Sequence, residues 1–187
     1  VTDKSDELNK VYNAFEAGRY GLARELFERL VQQDIRTHLY LGWMYDQGLG
    51  VTENSKQAEY HYRCLSETND VDGKYYLASL LQKKGDLASA VALYEEAADL
   101  NQISAAYWAY ALRNGDSASL VDKDKADFYL KKATELGHLF AKRDLALQEI
   151  RNGKCVSQRL ISRIRYLLLK IKGLVLIVKN SQDMRIR

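Results

Sequence analysis

Small and large apolar residues recur along this chain in a rhythm that fits one face of a helix. Ala23, Leu26, Phe27 and Leu30 stand at i, i+3, i+4 and i+7. The spacing returns at Ala58, His61, Tyr62 and Leu65, at Ala90, Leu93, Tyr94 and Ala97, and at Ala126, Tyr129, Leu130 and Ala133. Each run predicts an amphipathic helix whose small first residue lets a partner helix come close. The anchoring alanines lie 35, 32 and 36 residues apart. A small-large-small pattern accompanies them: Thr37, Leu41 and Gly42; Gly73, Leu77 and Ala78; Ser104, Trp108 and Ala109; Ala141, Leu145 and Ala146. It predicts an A helix packing on each B helix, with Trp108 at a central core position. Gly18, Gly48, Gly85, Gly115 and Gly153 mark the turns, where glycine takes a left-handed cap at little cost. Asn54 or Ser55 is placed to cap the helix that follows Gly50.

Self-similarity at a period near 34 residues predicts stacked helical hairpins sharing one core, because no single hairpin can bury its own apolar face. Four full hairpins are expected, with a fifth begun by residues 137–153. An ordinary helical bundle is the alternative, but it gives no reason for four anchors in register. The segment LGWMYDQGLGV followed by SKQAEYHY resembles the Sel1-like repeat, with its LG, MY, GxGV and paired tyrosine signals. WAYALRNG with KADFYLKKATELG follows the same pattern more loosely, while AGRYGLARELF and KGDLASAVALYEEA are more similar to tetratricopeptide repeats. The resemblance covers roughly residues 8–153. It implies a right-handed α-solenoid and the role of an adaptor or assembly scaffold. In bacteria, proteins of this type often assist assembly of surface structures such as exopolysaccharide. Cysteine-rich relatives carry a disulfide in each repeat, and this chain lacks that pattern.

Composition agrees with an all-α fold. Proline is absent from all 187 residues, and thirteen tyrosines stand against four phenylalanines. Tyrosine suits half-buried helix faces because its ring is apolar and its tip is not. Two distant cysteines, Cys64 and Cys155, form neither a disulfide framework nor a metal spacing and weakly favour a reducing compartment. No signal peptide is visible, although a cleaved one leaves no trace. Net charge is +3, but it is unevenly spread: residues 154–187 hold nine Lys or Arg and one acid, a net of +8, against −5 for the residues before them. Two segments are therefore expected, a repeat array over 1–153 and a basic amphipathic helix and tail over 154–187.

No catalytic constellation is apparent. His38, His61 and His138 fall in different repeats without metal or nucleophile spacing, and Gly48-Leu49-Gly50 lacks the lysine of a phosphate loop. The expectation is a non-enzyme with no cofactor and no metal. The acidic body offers nucleic acid no electrostatic footprint. A protein or peptide partner is expected in the concave groove of the A helices, where Trp43, Tyr75, Tyr110, Arg113 and Arg143 would form an aromatic and cationic strip. The competing reading has Trp43 and Tyr75 filling the angle between repeats and the arginines as surface charges.

The segment RLISRIRYLLLKIKGLVLIVKN breaks the repeat. Leu160, Ile164, Leu167, Leu168, Ile171, Leu174, Val175 and Val178 form one helical stripe, flanked by Arg159, Arg163, Arg165, Lys170, Lys172 and Lys179, with Leu169 and Leu176 behind it. Three readings stay open: a cap burying its stripe on the last hairpin, a helix lying in an anionic membrane interface, and a bilayer span, which four charges between residues 163 and 172 make costly. The expected location is the cytoplasm, or the periphery of the cytoplasmic membrane. The alternative to a scaffold is a peripheral membrane accessory protein recruited through this helix.

Overall fold

The structure is a computed structural model that describes residues 4–115, 117, 119–152 and 156–179, with side chains over 7–115, 117, 119–152 and 160–173. Among the described residues there are ten α-helices and no strand: α1 (Lys4–Glu16), α2 (Tyr20–Leu30), α3 (Thr37–Gln47), α4 (Ser55–Glu67), α5 (Val71–Lys83), α6 (Leu87–Asp99), α7 (Ile103–Asn114), α8 (Lys123–Glu135), α9 (Leu139–Asn152) and α10 (Val156–Lys179). Odd-numbered helices are the expected A helices and even-numbered ones the B helices. The chain divides into two compact units, Val1–Leu93 and Tyr94–Arg187.

In the first unit α3 packs on α4, and α4 in turn on α5. The core gathers Val11 and Phe15 of α1, Ala23 and Phe27 of α2, and Leu41 and Met44 of α3. Burying a side chain such as Phe27 contributes about 2 kcal/mol each. The hinge after α3 explains its glycines. Gly48 takes φ +68° and donates its N–H to the Met44 carbonyl, closing the helix. Gly50 also has a positive φ, and a Cβ there would fall 2.7 Å from the Tyr20 backbone. Asn54 then caps α4, accepting from the Lys56 and Gln57 amides.

In the second unit α7 packs on α8, α8 on α9, and α9 on α10. Ala126, Tyr129, Leu130 and Ala133 are all buried, as the spacing requires. Two expectations fail here. Trp108 is only half-buried, and Ala105, Ala106 and Ala109 form the buried seam of α7 instead. The indole lies beside Tyr94, ring centroids 6.3 Å apart, because a seam of alanines draws the helices too close to admit it. Gly115 has φ −75° and is no left-handed cap. Gly153 lies outside the described residues.

The fifth hairpin is completed by α10, but not as a cap that buries its stripe. Leu160, Ile164, Leu167, Leu168 and Ile171 are all exposed, Leu168 to 61%. The face toward α9 carries Ser162, which is 5% exposed, with Tyr166, Leu169 and Gly173 half-buried. Ser162 Oγ donates to Glu149 Oε2 at 2.8 Å, and Arg165 bonds the same oxygen at 3.2 Å. These polar ties, with the slim Gly173 approaching Leu139, turn the small-residue side inward and the aliphatic stripe outward. The side chains of Arg159, Leu174, Val175, Leu176, Val178 and Lys179 lie outside the described set.

Candidate functional site

The first unit carries a cavity of about 530 Å3 lined from α1, α3 and the junction of α4 with α5. Tyr12 and Phe15 come from successive turns of α1, and Leu39 and Tyr40 from α3. The rings brace one another: Tyr40 stacks on Phe27 at 4.9 Å and tilts against Tyr12 at 5.1 Å. Burial raises the Tyr12 phenol above its ordinary value, with the Tyr40 hydroxyl adding to it. Tyrosine rings offer both an apolar face and a polar tip.

Charge on this cavity is mostly negative. Glu16, Asp70 and Asp72 stand against Arg36, and Arg36 is held by Asp34 at 2.9 Å. Asp70 caps α5 through the Gly73 amide at 2.8 Å. Loss of hydration at the cavity rim, and then Asp70, raise Asp72 above its ordinary value, although the residue as a whole stays exposed. A carboxyl in that condition gains from a cation brought beside it.

The residues of the expected strip fall in both units. Trp43 is half-buried on Phe15, ring centroids 5.4 Å apart. Tyr75 is half-buried with its ring against the edge of Tyr76. In the second unit, Tyr110 leans on Tyr107 at 5.8 Å, and its hydroxyl meets the Asn114 amide nitrogen at 3.4 Å. Arg143 pairs with Asp144 at 2.7 Å and lies over the Phe140 ring. Tyr107 donates to the other oxygen of Asp144 at 3.0 Å. Arg113 bonds Glu95 at 2.6 Å and also reaches the Leu120 carbonyl. Lys125 takes the second Glu95 oxygen at 2.9 Å. Both arginines are thus already engaged with carboxylates of their own unit.

Sequence reasoning put the three histidines in different repeats, but His38 and His61 share one hairpin, on facing helices α3 and α4. His38 Nδ1 and His61 Nδ1 lie 2.9 Å apart between α3 and α4, and Tyr45 stacks on His61. Burial, then the neighbouring His38, lowers His61 to about 4. His138 is lowered to about 4 by burial, and its Nδ1 accepts from the Ala141 amide at the start of α9. These are neutral packing and capping groups. Among the described residues, no three His, Cys, Asp or Glu side chains gather as a metal site would need. Nor had the sequence shown Tyr12 and Tyr40 as cavity residues, since they fall outside the repeat's groove register; their aromatic character was the one signal available.

Comparison with known proteins follows the fold. A family model for the Sel1 repeat matches residues 36–69, 72–102 and 103–138, just over half of the chain. The second match takes in the third hairpin, which by sequence looked closer to a tetratricopeptide repeat. No curated protein matches the chain. Among solved structures, a Sel1 repeat protein from Oxalobacter formigenes is similar at 21% identity and a TM-score of 0.74, covering 88% of this chain and 69% of its own. A protective antigen of uropathogenic Escherichia coli displaying an SLR fold is similar at 16% identity and a TM-score of 0.69, covering 90% of this chain and 42% of its own. These likenesses show the fold, an all-α array of the solenoid type.

Proposed function

Because this chain belongs to the Sel1 repeat family, we propose that it is a non-catalytic adaptor that holds a segment of a partner protein in the A-helix cavity of its first unit. Sel1 repeat proteins are in general protein-interaction scaffolds. The observation carrying the reading is the cavity itself, with an aromatic floor from Tyr12, Phe15 and Tyr40 and carboxylates at its rim. The floor is braced before any partner arrives, so binding costs little ordering on this side. An excess of carboxylates over the single, engaged Arg36 suits a segment bearing Lys or Arg beside apolar side chains. Trp43 and Tyr75 are the further contact residues of this reading in the first unit; Tyr110, Arg113 and Arg143 belong to the second unit and would make a contact of their own. A partner from the assembly machinery of a bacterial surface structure is the extension that the family suggests.

The test is site-specific photocrosslinking in the cell of origin. A photoreactive amino acid at Leu39, in the cavity, should capture a discrete protein, and one at Arg29, on the exposed side of α2, should not. Asp72→Lys in the Leu39 probe should abolish capture. Equal yields from both positions, or capture indifferent to Asp72→Lys, would remove the cavity from the interaction.

A further inference from the structure

The outward face of α10 has no use in the adaptor reading. Leu160, Ile161, Ile164, Leu167, Leu168 and Ile171 are each more than half exposed. At 100° per residue five of them, with Ile161 at the margin, share the side opposite Ser162, Leu169 and Gly173, which face α9. Scattered exposed aliphatics are ordinary; a contiguous run over three turns marks a contact surface.

The edges of the stripe say what it contacts. Arg163 and Lys170 fall along one edge, and Arg165 and Lys172 along the other, all four exposed. No acid occurs anywhere from Val156 to Lys179. Bases at one depth on both sides of an apolar stripe match a flat anionic surface, where aliphatics enter the acyl boundary and the long basic side chains reach the headgroups. A second copy fits less well, because pairing two stripes would bring eight of these bases together. An acidic protein would need a groove cut to this convex face, and the centre of the stripe offers it neither a pocket nor a polar anchor. Among the described residues no helix is long and apolar enough to cross a membrane, and four bases between 163 and 172 hold α10 in the plane. Glu149 fixes the rotation of α10 through Ser162 and Arg165, so the stripe is presented without rearrangement.

We propose that α10 docks the protein on an anionic lipid surface through its outward stripe, with Arg163, Lys170 and Lys172 meeting the headgroups while Arg165 stays tied to Glu149. The surface is the negatively charged leaflet facing the cytoplasm. This goes beyond the adaptor reading and stands or falls separately from it.

The experiment is flotation of the full chain with vesicles of phosphatidylcholine alone or mixed with phosphatidylglycerol, at low and high salt. The expected result is flotation with the mixed vesicles only, released by salt. Leu167→Ser with Ile171→Ser should abolish it while leaving the melting temperature unchanged, since both side chains are exposed. Arg163→Gln with Lys170→Gln should weaken it by about thirty-fold. Sedimentation of the same proteins without lipid separates the other occupants. No flotation of the parent chain overturns the proposal. So does concentration-dependent self-association that the serine pair abolishes, which would give the stripe to a second copy. A marked fall in melting temperature of the serine pair would mean that this chain covers the stripe itself, and would overturn it equally.

Discussion

Gly42 carries no side chain because Tyr62 fills the space that one would need. A Cβ there would lie 2.5 Å from the Tyr62 ring, which is fully buried and cannot swing away. Gly42→Ala should therefore destabilise the first unit by about 1–3 kcal/mol, although alanine favours a helix more than glycine does. Urea denaturation checks it, and an unchanged or raised midpoint would show that the hairpin can open. Tyr62 itself makes the opposite case. Its ring stacks on Tyr76 at 5.5 Å, but its buried hydroxyl has no hydrogen-bond partner. Burial pushes that phenol far up, so it stays protonated. Tyr62→Phe keeps the stack and removes the orphan, and should be neutral or stabilising by up to about 1 kcal/mol. Each residue was legible in the sequence as part of a packing face, Gly42 in the small-large-small pattern of an A helix and Tyr62 in the run of a B helix; that the two meet was not. What the hydroxyl would find there was not, since that depends on three helices at once.

At the scale of elements, hairpin period and end signals were legible because they act locally. Asn54 begins α4, and Asn54→Ala should cost about 1 kcal/mol by leaving the Lys56 and Gln57 amides without an acceptor. Asn54→Asp should retain most of that stability, which separates capping from packing in a thermal melt. The errors arose where residue size was taken for depth. In α7 the large Trp108 stood at the expected core position, yet the alanines at 105, 106 and 109 took it by allowing closer approach. In α10 the period of the aliphatics was legible, and their direction was left open among three readings. Apolarity measures what a face gains by leaving water; it does not say which surface receives it. Ser162 and Gly173 look like weak packing residues in sequence, and they face α9 because Glu149 supplies a partner and Leu139 a close surface. The A-helix cavity was legible only in outline, as a groove lined by rings. Its acidic rim comes from residues at helix ends that repeat register does not reach.

For the molecule as a whole, three buried histidines set an acid limit on stability. Burial lowers His38, burial and then His38 lower His61 to about 4, and burial lowers His138 to about 4 against the opposing pull of Asp144. All three are depressed bases, so the unfolded chain binds more protons than the folded one between the ordinary histidine value of about 6.5 and about 4. Their contribution is complete above about pH 6.5 and is lost as pH falls through that window. For a group lowered to about 4, the loss approaches about 3 kcal/mol at the acid end. Geometry agrees with the sign. The 2.9 Å contact of His38 with His61 needs one Nδ1 to donate and the other to accept, and a second proton leaves two donors face to face. Protonated His138 can no longer accept from the Ala141 amide. Carboxylates act lower on the scale. Glu59 is held down by hydrogen bonds from Lys84 and then Arg63. Burial pushes Glu95 up, but Arg113 and Lys125 outweigh it. Both begin to lose stability only near and below their ordinary pKa of about 4.3. Urea midpoints should therefore fall steadily between about pH 6.5 and 5, before Glu59 and Glu95 begin to protonate. His138→Asn, which keeps an acceptor at the start of α9, should remove its share of that slope while leaving the neutral-pH midpoint within about 1 kcal/mol of the parent. A midpoint flat from pH 7.5 to 5 would show that the histidines take up protons in the folded chain as readily as in the unfolded one, and that neither their burial nor the His38–His61 contact holds them neutral.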